Sequence, residues 1–173
     1  MYMSDYKDGK WDDGKLLPFG PFEISPGACV LNYGQGIFEG MKALKTKNQE
    51  IVLFRPEENY KRINKSSARL AIPEFPKDYF FQGLEELLKL DKDWIKKGFG
   101  NSLYIRPFVI ATEECVSANP ATKYKFMIIC SPAQAYYSGE VRVQFSEKYS
   151  RAADGGVGAA KAAGNYAAQF YPT

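Results

Sequence analysis

The sequence predicts a mixed helix-and-strand fold. Three observations carry that expectation: an amphipathic stretch of helical period, two long apolar runs of strand length, and polar or Asp-Gly segments separating shorter apolar pieces. Lys7-Asp8-Gly9-Lys10-Trp11-Asp12-Asp13-Gly14-Lys15 has the Asp-Gly steps of tight turns and predicts a hairpin edge. Residues 43–45 and 51–54 flank the polar 46–50 and predict a second hairpin. Pro56 suits a first helical turn and Glu57 and Glu58 suit its positive end, while Pro73 forbids continuation. A helix from Pro56 to about Leu70 follows.

A longer helix is expected over 77–97, where Phe80, Phe81, Leu84, Leu87, Leu88 and Trp94 form a core-facing stripe and Gly98 and Gly100 end it. Residues 103–112 and 124–130 read as buried strands joined by a polar loop with Pro120. Val141-Arg142-Val143-Gln144-Phe145 alternates like a further strand, and from Ala152 the composition turns rich in Ala and Gly.

The chain of 173 residues suffices for one core, or for one domain with a piece of another. With 45% hydrophobic and 25% charged residues it is globular rather than disordered. A net charge of +3 without a long Lys/Arg block fits small anionic ligands better than a nucleic-acid backbone. There is no histidine, which excludes Cys/His zinc sites and His-based triads, so no metal site is expected. Cys29, Cys115 and Cys130 form no CxxC and read as free thiols of a reducing cytoplasm. No apolar stretch reaches membrane-spanning length and residues 1–5 lack a signal-peptide core, so the expectation is a soluble, cytoplasmic protein.

Four segments carry candidate chemistry. In Gly155-Gly156-Val157-Gly158-Ala159-Ala160-Lys161-Ala162-Ala163-Gly164-Asn165-Tyr166, small residues let a planar group lie close to the backbone. A lysine there can form a Schiff base with an aldehyde cofactor, with Tyr166 in reach of a ring substituent; alone, the run equally suits a solvated surface lysine. Leu31-Asn32-Tyr33-Gly34-Gln35-Gly36-Ile37-Phe38-Glu39-Gly40-Met41-Lys42 offers aromatic pocket walls at Tyr33 and Phe38, or an ordinary Gly-punctuated turn ahead of a strand. Phe54-Arg55-Pro56 with Arg62 offers arginine forks suited to phosphate, or surface arginines on a helix. In Ser102-Leu103-Tyr104-Ile105-Arg106-Pro107, strand alternation puts Tyr104 and Arg106 on one face, and an arginine within an apolar strand needs an anionic partner or solvent.

Together, in this order and spacing, these segments resemble the branched-chain amino acid aminotransferases, pyridoxal 5'-phosphate enzymes of fold type IV. The resemblance also takes in Ala135-Tyr136 and covers nearly the whole chain. It implies an α+β fold: a small N-terminal domain (1–136), a linker (137–151) and the truncated start of a larger cofactor-binding domain (152–173). It implies Lys161 as the Schiff-base lysine, Arg62 as phosphate ligand and Tyr166 as partner of the pyridine hydroxyl. Phe38, Gly40, Tyr104 and Tyr136 match the substrate pocket, and Arg106 the arginine that receives the distal carboxylate of glutamate. Tyr33 matches a residue that reaches the neighbouring subunit's pocket, which implies a homodimer.

The implied reaction is amino-group transfer between leucine, isoleucine or valine and 2-oxoglutarate. The family's acid opposite the pyridine nitrogen would lie beyond Thr173, so a truncated chain is expected to be inactive alone. Ala163 precedes a single glycine where the family often has two, and Ala133 stands where some members carry an aromatic. D-amino acid aminotransferases and aminodeoxychorismate lyases share the lysine and cofactor and remain alternatives. So does a folded, non-catalytic module that binds a partner chain.

Overall fold

The computed structural model describes residues 1–137 and 139–171. In chain order the elements are β1 (Tyr2–Lys7), β2 (Lys10–Trp11), β3 (Lys15–Leu16), α1 (Cys29–Tyr33), β4 (Gly36–Phe38), β5 (Met41–Lys45) and β6 (Ile51–Leu53). They continue with α2 (Pro56–Arg69), α3 (Lys77–Asp91), β7 (Ser102–Ala111), β8 (Tyr124–Ala133) and α4 (Gly164–Ala167). Among the described residues the strands form one antiparallel sheet with the order β2-β1-β8-β7-β5-β6, β3 pairing with β1 and β4 with β7. The fold class is α+β, as expected.

Both hairpins form. Lys7 pairs with Lys10 across Asp8 and Gly9, both at positive φ, the backbone that a two-residue hairpin turn demands. β5 and β6 close through Ala43 opposite Leu53 and Lys45 opposite Ile51. β7 and β8 pair without interruption from Ser102 opposite Ala133 to Ala111 opposite Tyr124. β8 therefore outruns the expected 124–130. β1 pairs with it only as far as Ile128, so the missing N–H of Pro132 falls on a free edge.

Burial alternates along β7. Leu103, Ile105 and Val109 face a core that includes Phe75, Phe80, Leu84, Leu87 and Phe126, with Phe75 stacked on Phe126 at 3.7 Å. Tyr104, Arg106, Phe108 and Ile110 face the other side and stay half-buried.

Two expectations need correction. The long helix ends at Asp91, a 3-10 turn over Lys92–Trp94 follows, and Trp94 is exposed. Beyond Leu88 the next core-facing positions are Asp91 and Lys92, which offer nothing to bury, and the chain turns instead to drop Ile95 into the core. No strand forms at 141–145, where Val141, Val143 and Phe145 are exposed. Alternation alone does not make a strand when, among the described residues, no neighbouring strand is there to pair with its backbone. Ser138 of the expected linker, and Pro172 and Thr173 at the end of the expected second domain, lie outside the described residues.

Candidate active site

The site begins with a defect in the sheet. β4 and β5 lie against β7 in one continuous register, Phe38 opposite Phe108 and Met41 opposite Ile105. Between them, Glu39 N donates to the Pro107 carbonyl at 2.7 Å, but Pro107 has no N–H to return. The ladder breaks at Glu39 and Gly40, and the freed groups turn to side chains. Asn59 Nδ2 donates to the Gly40 carbonyl at 3.3 Å and to Glu39 Oε2 at 2.8 Å.

Alternation puts Glu39 on the core side with Ile37 and Met41, and its carboxylate is fully buried. A buried carboxylate must be paired and hydrogen-bonded. Arg62, on α2, supplies a two-point fork, Nε to Oε1 and Nη2 to Oε2, the latter at 2.8 Å. Glu39 Oε2 also accepts from Gly40 N at 3.1 Å. The bond to Glu39 holds the Arg62 guanidinium above its ordinary pKa, against the opposing effect of burial. Arg62 also lines an open cleft of about 540 Å³ with Phe54, Arg55, Lys61 and Lys65.

The other face carries the chemistry of the lysine. Residues 161–163 run along the free edge of β4: Ile37 bridges Ala162, Phe38 N donates to the Lys161 carbonyl at 3.1 Å, and Ala163 N to the Gly36 carbonyl at 3.1 Å. Ala160 and Ala162 are buried, so alternation turns Lys161 to the open face beside Phe38. Its backbone N–H is held by Ser66 Oγ of α2 at 2.9 Å. Buried Asn165 donates to the Val157 and Ala160 carbonyls at 3.0 and 2.8 Å, and Arg69 to those of Gly155 and Gly156. Lys161 Nζ donates to the Tyr166 hydroxyl at 2.6 Å.

Phe38 organises this face. Its ring lies 4.8 Å from that of Tyr166, and both Lys161 Nζ and the Arg106 guanidinium carbon sit 4.5 Å from its centroid. Arg106 Nη2 donates to the Tyr104 hydroxyl at 2.8 Å, while Arg106 Nε is buried with no hydrogen-bond partner among the described residues. Gly40 sits directly under Tyr104, where a Cβ would overlap the phenol oxygen. Beside Arg106, a cleft of about 320 Å³ is lined by Val30, Ile37, Phe38, Phe108, Ile110 and Ile129.

Of the residues expected in the site, Phe38, Gly40, Tyr104, Arg106, Lys161 and Tyr166 are thus brought together, and Arg62 is tied to Gly40 through Glu39. Tyr33 ends α1 with its ring exposed, and exposed Tyr136 packs its ring edge-on to Tyr137 beyond β8. Sequence alone gave Glu39, Asn59, Ser66 and Asn165 no role. For Glu39 a signal existed: between Phe38 and Gly40, strand parity places a carboxylate toward the core, where it requires a cation.

No protein-family model matches the chain. It is 48% identical over 181 residues to a Staphylococcus epidermidis protein called "Probable branched-chain-amino-acid aminotransferase", a match that covers 98% of this chain and 50% of that protein. The chain spans about half the length of the curated relatives it matches. Among solved structures, a branched-chain aminotransferase of the archaeon Thermoproteus uzoniensis, crystallised with norvaline, aligns with a TM-score of 0.65 at 18% identity, over 99% of this chain and 55% of that one. An aminotransferase from Brucella abortus bound to the cofactor PLP aligns at 0.57 and 18%, over 98% and 56%. At these identities the structural likeness concerns the fold.

Proposed function

The chain is a homologue of the branched-chain aminotransferases, matched over about half of their length, and on that premise we propose that it carries the lysine half of a pyridoxal-phosphate transaminase site. The proposed reaction is amino transfer from leucine, isoleucine or valine to 2-oxoglutarate. The observation that carries the reading is the seat of Lys161: backbone locked to β4 and α2, Nζ 2.6 Å from Tyr166, and Phe38 alongside.

The residues suit the cofactor. Pyridoxal 5'-phosphate, when bound, supplies an aldehyde for amino exchange and a ring that takes up electrons from the broken Cα–H bond. Glu39 engages one edge of Arg62, through Nε and Nη2, and leaves its Nη1 for a phosphate. Tyr166 would face the pyridine hydroxyl while it holds Lys161 Nζ in place. Lys161 Nζ would take the substrate α-proton and hold it for return. Aliphatic side chains suit the cleft beside Phe38 and Phe108, at about 0.8 kcal/mol per methylene buried. A second carboxylate would pair with the Arg106 guanidinium, which Tyr104 holds through Nη2 at 2.8 Å. The proposal includes a homodimer, with the exposed Tyr33 at the contact, and a division into domains near 137–151.

The test uses the whole gene product that carries these residues. It is loaded with pyridoxal 5'-phosphate, reduced with borohydride and digested. The expected adduct sits on Lys161 and is missing from a Lys161→Ala variant of unchanged far-UV circular dichroism. That variant should lose about 10²–10⁴-fold in leucine transamination. Reduction that labels surface lysines and spares Lys161 would overturn the proposal, and a preference for D-alanine over L-leucine as donor would overturn the substrate class.

A further inference from the structure

We propose that Cys29 and Cys115 form a reversible disulfide, a modification site that ties the start of α1 to the loop between β7 and β8. The two residues lie 86 apart in sequence, yet their Sγ atoms are 2.7 Å apart, with Cys29 buried and Cys115 half-buried. The approach is imposed by the backbone. Ala28 and Glu114 form an antiparallel bridge, Cys29 N donates to the Glu113 carbonyl at 3.0 Å, and Cys115 N to the Gly27 carbonyl at 3.0 Å. Two further bonds fix the same loop: Ala121 N donates to Gln35 Oε1 at 3.1 Å, and Thr112 N to the Lys123 carbonyl at 2.9 Å. A covalent bond needs the sulfurs only about 0.7 Å closer, a shift that side-chain rotation supplies while the backbone stays bridged.

The oxidant is a low-molecular-weight disulfide such as oxidised glutathione. Cys115, the more accessible thiol, attacks one of its sulfurs; a mixed disulfide forms and one small thiol leaves. Cys29 then gives up its proton and attacks Cys115 Sγ, expelling the second small thiol. Two protein thiols are oxidised, one small disulfide is reduced, and both protons leave on the released thiols. Burial and the neighbouring Cys115 push the Cys29 thiol up to about 11, so the buried partner reacts only after Cys115 has been capped. Cys130, on β8, is an internal reference, its thiol pushed up to about 12 by burial.

The reagent is excess oxidised glutathione on the purified, folded protein, followed by thiol counting in denaturant and non-reducing tryptic mapping. Trypsin places the cysteines in three separate peptides, 16–42, 98–123 and 126–142, since Arg106 precedes proline and is not cut. The expected result is the loss of two free thiols, with 16–42 linked to 98–123, monomer mobility on a non-reducing gel, and full reversal by dithiothreitol. Cys130→Ser should give the same link, and Cys29→Ser should stop at a persistent glutathione adduct on Cys115. An unchanged thiol count, an unresolved adduct on wild-type Cys115, a link to 126–142, or a link only between two chains would each overturn the proposal. None of these readouts involves a cofactor, so a negative result leaves the transaminase reading standing.

Discussion

The two faces of the sheet obey the same alternation and reach opposite ends. On the core side even a carboxylate is satisfied: Glu39 meets Arg62, Asn59 and the Gly40 amide, so its buried charge is fully engaged. On the open side Tyr104, Arg106 and Lys161 crowd around Phe38, and Arg106 Nε finds no partner among the described residues. A hydrogen-bonding group left unpaired costs stability; the other buried one among the described residues is a neutral hydroxyl, Ser67 Oγ on α2, whereas Arg106 is a cation. The core face specifies the fold, and the open face is the one to which the proposed function assigns the ligand.

The largest expected break of that contrast comes at Arg106. Arg106→Ala deletes the orphaned donor and the cation over Phe38 while leaving the core face intact. A hydrogen bond to a charged group is worth about 1.5–3 kcal/mol, so the 2-oxoglutarate half-reaction should weaken by about 10- to 150-fold. The leucine half-reaction should change far less, and single-turnover measurement of both halves separates them. Equal losses would mean that Arg106 supports the pocket wall instead of a carboxylate.

Glu39 sharpens the comparison from the other side. Glu39→Ala strips a buried anion from Arg62 and Asn59, but Arg62 keeps 53% of its side chain exposed and can be rehydrated. The expected destabilisation is therefore about 2 kcal/mol, read as a shift in urea midpoint, with Glu39→Gln losing less. Pyridoxal-phosphate affinity should also fall, by about tenfold, because the Arg62 fork is no longer aimed. Unchanged cofactor affinity would confine Glu39 to the fold.

Much of this division was legible in the sequence where the cause is local. Pro56 followed by Glu57 and Glu58 announces α2, the Asp-Gly steps announce the first hairpin, and alternation assigns Tyr104 and Arg106 to one face. The remainder depends on contacts distant in the chain. That Pro107 interrupts the ladder opposite Glu39 follows only from the register of β4 and β7. The hold of Ser66 on the Lys161 backbone spans 95 residues. Residues 141–145 have a strand's alternation without a strand's partner, which no local pattern reveals. The resemblance to a family supplied roles for Lys161 and Arg62, whereas Glu39, which orients Arg62, had to be found in space.

The smallest effect expected belongs to the core face and to high pH. Tyr2 packs its ring beneath Gly83, where a Cβ would come within 2.8 Å of it, and donates its hydroxyl to the Asp13 carbonyl at 3.1 Å. Burial first, then Asp12 and Glu86, push the phenol from 10.0 up to about 12. A raised pKa means that the folded state holds its proton longer than the unfolded state. The contribution is complete below pH 10 and is lost as pH rises toward 12. Allowing for partial solvent screening, the loss should be on the order of 1 kcal/mol. Tyr2→Phe should flatten that part of the stability-versus-pH curve between pH 10 and 12, measured by denaturant midpoints. An undiminished slope in the variant would transfer the effect to Tyr124, whose phenol is also raised by burial.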